Sequence, residues 1–110
     1  MLKQDFKSVI NELKKTDIND SVAYYALVDK EVELLTSNTE ETLKFINDND
    51  DELSFVYMAE TMFRIVQKEK NDVILKAFEK STERFPEAMS KFNIRKLISY
   101  AWEKLGLENK

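Results

Sequence analysis

The side chains of this sequence that could do chemistry are mainly carboxylates. The densest group is the run Asn-Asp-Asn-Asp-Asp-Glu at residues 47–52, and Asp17 and Asp20 form a smaller pair. The chain contains no His and no Cys. It therefore lacks the commonest general base, a thiolate nucleophile and the usual ligands of zinc. Any metal site would have to be built from carboxylates.

A calcium-binding loop is the first possibility for the acidic run. If an EF-hand loop began at Asp48, Asp50 and Glu52 would stand at its third and fifth positions. That loop also requires Gly at its sixth position and a bidentate Glu at its twelfth. Leu53 and Ala59 occupy those positions, so the sequence does not encode an EF-hand.

Paired carboxylates for magnesium are the second possibility. Asp17 with Asp20, and Asp48 with Asp51, could hold this ion in a hydrolase, as acidic pairs on the helices of nucleotide pyrophosphatases do. Both pairs, however, lie in predicted linkers between helices, where capping of the next helix explains them. We therefore predict no metal, no cofactor and no enzymatic activity.

Charge is distributed unevenly along the chain. Residues 17–60, which we call the acidic segment, contain twelve acidic residues against Lys30 and Lys44, a net charge of −10. Residues 61–110 carry a net charge of +4. An acidic surface of this kind attracts a cationic partner and repels nucleic acid. The alternative interpretation is that these charges are only helix caps and solvated faces.

A basic stripe near the fifth predicted helix could indicate nucleic-acid binding. It consists of Lys68, Lys70, Lys76, Lys80 and Arg84. Glu79 and Glu83 lie among these residues, as on an ordinary salt-bridged surface. We therefore predict no nucleic-acid ligand.

The composition predicts an all-α fold. One Gly and one Pro in 110 residues are too few for the many turns of a sheet protein. This length corresponds to a single domain, residues 1–110, that can bury about two thirds of its unfolded surface. The first residues lack the apolar core of a signal peptide, and the longest apolar run, residues 22–28, is too short to cross a membrane. We therefore predict a soluble, cytoplasmic protein without a membrane partner.

Helical spacing predicts five to seven helices, which begin near residues 2, 21, 39, 51, 72 and 93 and pack as irregular hairpins. The helix at about 53–67 should be central and mostly buried, because it is apolar on most sides. Its buried face would carry Phe55, Ala59, Met62, Phe63 and Val66, widened by Leu53, Val56 and Met58. Its polar stripe would carry Ser54, Tyr57, Glu60 or Thr61, Arg64 and Gln67, with an ion pair between Glu60 and Arg64.

Polar residues mark the helix starts. The candidate caps are Asn19, Asp20 or Ser21, then Asn38, the acidic run, Asn71 or Asp72, and Asn93. The fifth helix should carry Phe85 and end at Pro86. Gly106 should take the left-handed conformation, which lets Leu107 fold back towards Trp102.

Tyr57 is the aromatic residue best placed for an interface. It lies in the polar stripe of the central helix beside the acidic run, although a Tyr packed flat with a wet hydroxyl fits the same position. Tyr24 and Tyr25 point about 100° apart on the second helix, so one should be buried and the other peripheral. The second half of that helix, with Glu31 and Glu33, should face water.

A family resemblance covers residues 45–105. It rests on an acidic linker, the aromatic-rich helix LSFVYMAETMF, the run Glu83-Arg84-Phe85-Pro86-Glu87 and the closing Ile98-Ser99-Tyr100-Ala101. In these features the chain resembles the small acidic helical immunity proteins encoded beside bacterial contact-dependent inhibition and other polymorphic toxins. The resemblance implies a cognate toxin, often a nuclease with a cationic substrate cleft that the immunity protein plugs. It carries over no individual binding residue.

Our leading hypothesis is a non-catalytic inhibitor, a monomer or weak homodimer, that binds a basic protein partner through the acidic segment. With the resemblance, this becomes an immunity protein that neutralises a secreted bacterial toxin such as a nuclease. The residues predicted to contact the partner are Asp48, Asp50, Asp51, Glu52, Glu31, Glu33, Glu40, Glu41 and Tyr57. One alternative is a phage-encoded inhibitor of a host defence nuclease. Another is a structural helical adaptor that homodimerises through apolar surface on the second or last helix.

Overall fold

Seven α-helices account for most of residues 1–106, which are the residues described by the computed structural model. The all-α prediction is confirmed, at the upper end of the predicted number of helices, and these residues form one compact globule without strands. None of the helices in this part of the chain has the length and apolar character needed to cross a membrane. The helices are α1 (Leu2–Lys15), α2 (Ser21–Thr36), α3 (Thr39–Asp48), α4 (Glu52–Glu69), α5 (Val73–Ser81), α6 (Pro86–Lys91) and α7 (Ile94–Leu105), with a 3-10 turn (Thr82–Arg84) between α5 and α6.

Helix α4 is central and packs against α1, α2, α5 and α7. Its predicted buried face is largely correct, and its fully covered members are Phe55, Ala59, Met62 and Val66. Phe63 is only half-buried. Leu53 is 38% exposed, because it lies in the first turn of the helix beside the exposed end of the preceding loop.

Two stacked ring pairs join α4 to the carboxyl-terminal half of the protein. The Phe55 ring lies parallel to the rings of Phe78 and Phe85, with centroids 4.8 Å and 4.4 Å away. All three rings are buried, and burial of each contributes about 1.5–3 kcal/mol. This cluster fixes α4 against α5 and against the segment that follows the 3-10 turn.

The prediction of the polar stripe is wrong for Ser54, which is buried, and of the alternatives Glu60 and Thr61 it is Glu60 that is exposed. Ser54 and Thr61 are both 0% exposed. Their hydroxyl groups are satisfied locally, because Ser54 Oγ donates to Asp51 Oδ2 (2.7 Å) and Thr61 Oγ1 donates to the Met58 carbonyl (2.7 Å). A hydroxyl with such a partner can enter a helical core without an unpaired polar atom.

Side-chain caps fix the starts of three helices as predicted. The side-chain oxygens of Asp20, Asn38 and Asp51 accept hydrogen bonds from the backbone N–H groups of Ala23, Glu41 and Ser54, respectively. Asn93 precedes α7 in a left-handed conformation, but its side chain makes no cap bond. Gly106 has φ 83°, as predicted, whereas the prediction for Leu107 lies outside the described residues.

The fifth helix ends earlier than predicted. Helix α5 stops at Ser81, whose hydroxyl donates to the Phe78 carbonyl (2.6 Å). Such a local bond offers the backbone an alternative to continuing the helix. Phe85 lies beyond the 3-10 turn, and Pro86 is the first residue of α6. Proline is well suited to that position, because the first helical N–H has no partner within the helix.

Candidate binding site on helices α2 and α4

The acidic loop, residues 48–52, joins α3 to α4. Its exposed acids are Asp48, Asp50 and Glu52. Asn49 is buried and holds the turn, because its side chain accepts from the Asp51 N–H (3.1 Å) and donates to the Asp51 carbonyl (3.0 Å). The three exposed acids are therefore carried by a hydrogen-bonded turn.

Asp51 is half-buried and bound to the first turn of α4. Its Oδ2 accepts from the N–H group (3.1 Å) and the hydroxyl group (2.7 Å) of Ser54. Partial burial raises the pKa of Asp51, but these bonds and the nearby charges of Lys7 and Lys3 outweigh it, so the net effect is a lowered pKa. The Asp51 charge thus stabilises α4 and lies near the lysines of α1. It is a weaker candidate for contact with a cationic partner than the sequence suggested.

A groove of about 490 Å³ separates the start of α1 from α3. Glu41 and Asp48 line it together with Lys3 and Lys44. Glu40, the neighbouring predicted contact residue, is exposed. Because the groove carries as many lysines as carboxylates, it offers little net attraction to a cationic partner.

Glu31 and Glu33 lie on different faces of α2. Glu33 is exposed as predicted, but Glu31 is only 1% exposed, so the prediction that it faces water is wrong. Val28, Glu31 and Leu35 follow one another at steps of three and four residues, and all three are buried. Such spacing places them on one stripe of a helix, here the stripe that faces the protein interior.

A cleft of about 210 Å³ between α2 and α4 gives access to Glu31, and we call it the Glu31 cleft. It is lined by Tyr24, Tyr25, Val28, Glu31, Glu60, Phe63 and Arg64. Within residues 1–106, Glu31 Oε2 is buried and has no hydrogen-bond partner. Leaving such an atom unpaired costs about 1–3 kcal/mol. A native structure that retains one therefore requires an explanation at this position.

The titratable groups around the Glu31 cleft have raised pKa values. Burial, with the Glu60 charge as a second cause, raises the pKa of Glu31 to about 8. Partial burial also raises the pKa of Glu60. Burial, followed by the charges of Glu60 and Glu31, raises the pKa of both Tyr24 and Tyr57. At neutral pH Glu31 is therefore mostly protonated, a state that a nearby positive charge would reverse.

Arg64 lies at the edge of the Glu31 cleft. Its guanidinium lies 5.0 Å from the Phe63 ring centroid and 5.4 Å from that of Tyr25, and its Nη1 is 4.0 Å from Asp29 Oδ1. The predicted ion pair with Glu60 is absent from the ion pairs of residues 1–106. The two aromatic rings and Asp29 hold the guanidinium elsewhere, so both carboxyl groups of the cleft lack a cation.

The first half of α2 exposes apolar side chains next to the cleft. Val22 is 81% exposed, and Tyr25 and Ala26 are also exposed; these three residues share one helical face and are called the α2 patch. Tyr24 is exposed as well, so the prediction that one of the two tyrosines is buried is wrong. The reason is that the burial of α2 begins only at Val28.

Tyr57 is half-buried beside the same region. Its ring packs against the buried cluster formed by Val9, Leu13 and Val28, which joins α1 to α2. The Tyr57 side chain also packs against the main core. Its packing role is clear, and contact with a partner stays a prediction.

The acidic segment forms few ion pairs. Among residues 1–106, ion pairs join Arg64 to Asp29, Lys76 to Asp72, and the amino terminus of Met1 to Asp5. Only the first involves an acid of residues 17–60. Of the other acids of that segment, Asp17, Asp20 and Asp51 accept hydrogen bonds from backbone N–H groups, and Glu31 is buried. The rest are exposed and form no ion pair among residues 1–106.

The predicted basic stripe serves partly structural purposes. Arg84 donates two hydrogen bonds to the carbonyl groups of Ile46 and Asn47 and so caps the end of α3. Lys68 Nζ donates to Thr36 Oγ1 (2.8 Å). These contacts join distant parts of the chain and give two of the five basic residues a structural role.

The sequence did not identify Glu60, Tyr24 and Phe63 as members of a site. The signal for Glu31 was present in its spacing with Val28 and Leu35, but α4 contributes the opposite wall, and its position relative to α2 is a tertiary property. Among residues 1–106 no group of three or more acidic side chains could hold a metal ion. In comparisons with known proteins, no family model matches this chain, and no curated protein and no solved structure is significantly similar to it.

Proposed function

We propose that this protein is a non-catalytic inhibitor that binds a cationic protein partner, as the immunity proteins that it resembles bind their toxins. The observation that carries the proposal is the exposed α2 patch inside an acidic segment that is almost free of ion pairs. Protein interfaces combine an apolar centre with a polar rim. An acidic rim accelerates the encounter with a basic partner.

The surface around the α2 patch combines further exposed apolar side chains with exposed acids. Ile18, which precedes α2, is 92% exposed, and it lies in sequence between the exposed acids Asp17 and Asp20. Tyr25 belongs to the α2 patch and also lines the Glu31 cleft. We therefore propose that the contact is centred on α2 and extends to the cleft.

The predicted contact residues have different roles under this proposal. The exposed acids that attract the partner from a distance are Asp50, Glu52, Glu33 and Glu40. Asp48 and Glu41 share their groove with two lysines and contribute little to this attraction. Asp51 chiefly stabilises α4 through Ser54. Glu31 meets a partner only through its cleft.

Growth protection tests the proposal directly. The chain is expressed with the product of the neighbouring gene as the candidate toxin, and growth and complex formation by size-exclusion chromatography are measured. We expect protection and a stable complex. Val22→Lys should abolish both without changing the circular dichroism spectrum, because the Val22 side chain is largely exposed.

Val73→Lys is the matched control for this experiment. Val73 is also apolar and 44% exposed, but it lies at the start of α5, outside the acidic segment. This variant should protect as well as the unaltered chain. Absence of any complex, or an equal loss with both variants, would contradict the proposal.

A homodimeric adaptor is the second candidate, and the same α2 patch favours it. An exposed apolar patch can bury itself against a second copy of the chain. Salt distinguishes the two functions, because like charges around the patch oppose self-association and opposite charges favour a cationic partner. A dimer should therefore strengthen with added salt in light scattering, whereas the complex with a cationic protein should weaken.

A further inference from the structure

The Glu31 cleft holds a carboxyl group that the fold of the described residues buries with one oxygen unpaired. Glu31 is 1% exposed, and its Oε2 has no hydrogen-bond partner among residues 1–106. Glu60 lines the same cleft and forms no ion pair within that part of the chain. Two carboxyl groups therefore line one small space, and neither forms an ion pair with a cation of residues 1–106.

We propose that the Glu31 cleft binds a primary ammonium group, the end of a lysine side chain supplied by a protein partner. An ammonium group carries three N–H donors and one positive charge. Glu31, Glu60 and the hydroxyl of Tyr24 offer three acceptors in the lining of the cleft. The inference deepens the proposed function, because a lysine of the cationic partner is the group that enters.

Other ligands fit the lining less well. An anion would be repelled by either carboxyl group in its ionised form, and the described residues offer no set of three acidic ligands for a metal ion. A guanidinium is planar and favours aromatic faces. In this cleft the guanidinium of Arg64 already lies over the rings of Phe63 and Tyr25, which leaves the carboxyl groups for a more compact cation.

The size and walls of the cleft suit an alkyl ammonium. Its volume of about 210 Å³ is the volume that about seven water molecules occupy in the liquid. Val28 and Phe63 provide apolar wall for the methylene stem of a lysine, which packs on apolar surface while its charged end reaches polar groups. The carboxyl groups then meet the charged end.

Binding of a cation here is coupled to a proton. The groups that face Glu31 are Glu60, Tyr57 and Arg64 on α4, and Tyr24 and Tyr25 on its own helix. Helix α1 packs against this part of α2 with the apolar side chains of Val9 and Leu13, and α3 meets α2 further along, where Thr42 donates to the Leu35 carbonyl. An entering ammonium favours the ionised form of Glu31, so its proton leaves.

The test uses n-butylammonium chloride as the probe and the full chain as the receptor. Carbon-13 NMR of the Glu carboxyl groups follows the titration of Glu31 at constant ionic strength. We expect a saturable response and a fall in the pKa of Glu31 from about 8 towards its ordinary value. Because binding releases a proton, the apparent affinity should rise about tenfold for each unit by which the pH is raised towards 7. Tetramethylammonium, which has no N–H donor, should give no saturable response.

Two variants and a matched control complete the test. Glu31→Gln and Glu60→Gln should each weaken butylammonium binding at least fivefold, and Glu33→Gln, at an exposed position of the same helix, should leave it unchanged. Because Glu60 is exposed, its variant decides the question if Glu31→Gln does not fold. Absence of saturable binding, or equal binding by Glu60→Gln and the unaltered chain, overturns the ammonium site.

A second probe, N-acetyl-lysine N-methylamide, identifies the source of the ammonium. If it binds like butylammonium, the site accepts a lysine within a protein. If only butylammonium binds, the site is specific for free amines and the assignment to a partner lysine is overturned. Neither result depends on the growth experiment, so the ammonium site and the proposed inhibitor function can fail separately.

Discussion

The acidic loop and the Glu31 cleft use carboxyl groups in opposite ways. In the loop, Asp51 has two donors from Ser54 and lies near lysines, and its pKa is lowered. In the cleft, Glu31 has an oxygen without a donor, and its pKa is raised to about 8. The loop therefore holds a stable negative charge, whereas the cleft holds a carboxyl group that a cation would ionise.

The density of acids along a sequence therefore does not indicate which carboxyl group lacks hydrogen-bond donors and a nearby positive charge. Residues 47–52 are the richest in acids, yet Asn49 and Ser54 satisfy the backbone and the Asp51 side chain there. Glu31 stands alone in a mostly apolar stripe. A single carboxyl desolvated by its neighbours is more responsive to a ligand than several solvated ones.

The largest effect expected from this difference is a dependence of stability on pH. Folding raises the pKa of Glu31 from 4.5 to about 8, so the folded state binds its proton more tightly than the unfolded state does. The resulting stabilisation is complete below about pH 4.5 and is lost as the pH rises through 8, by at most about 5 kcal/mol. Urea unfolding at pH 5, 6.5 and 8 measures this fall in the free energy of unfolding.

Glu31→Gln should remove most of that pH dependence. Glu33→Gln is the control, because Glu33 is exposed on the same helix and its variant should retain the slope of the unaltered chain. The raised pKa of Glu60 also makes the free energy of unfolding fall as the pH rises. A smaller dependence on pH should therefore remain in the Glu31→Gln variant. Equal slopes for Glu31→Gln and the unaltered chain would place the pH dependence elsewhere.

A smaller effect is expected within the acidic loop. Asp51→Ala removes the cap of α4 and both bonds from Ser54, so we expect a loss of about 1–2 kcal/mol in the free energy of unfolding. Asp50→Ala changes an exposed neighbour and should cost less than about 0.5 kcal/mol. Chemical denaturation of the two variants at pH 7 compares them. A similar cost for both would mean that the cap contributes little.

The smallest change is expected in the kinetics of partner binding at the loop. Asp50→Lys should slow association a few-fold at low salt and leave dissociation unchanged, because an exposed charge outside the contact acts through attraction at a distance. Glu60→Lys, in the cleft, should instead accelerate dissociation. Stopped-flow or surface-based kinetics with the partner separates the two. Faster dissociation of the Asp50 variant would place the loop inside the contact.

Much of the helical architecture follows from local rules. Asn38 was identifiable as a cap, and Asp20 and Asp51 lie within short runs of candidate caps, because polar residues that can accept the free backbone N–H groups precede each of these helices. The left-handed Gly106 follows from the end of α7 in the same way. Such signals act over a few residues, and the sequence contains them in full.

The cleft was not predictable because it depends on how helices meet. The charge-pairing rule for positions four residues apart predicted a bond between Glu60 and Arg64, but Tyr25 and Asp29 of α2 hold that guanidinium. The exposure of Tyr24 likewise depends on where the covering helices stop. Properties of this kind arise from tertiary contacts, which local spacing does not specify.

The parallel rings of Phe55, Phe78 and Phe85 also affect how different parts of the protein open. Because α4 is stacked against two segments that follow it, its backbone amides should exchange with deuterium only when the whole protein unfolds. The first turn of α2, whose side chains are largely uncovered, should exchange through local fraying. The proposed contact surface would then lie at a turn that opens locally, next to a helix whose amides exchange slowly.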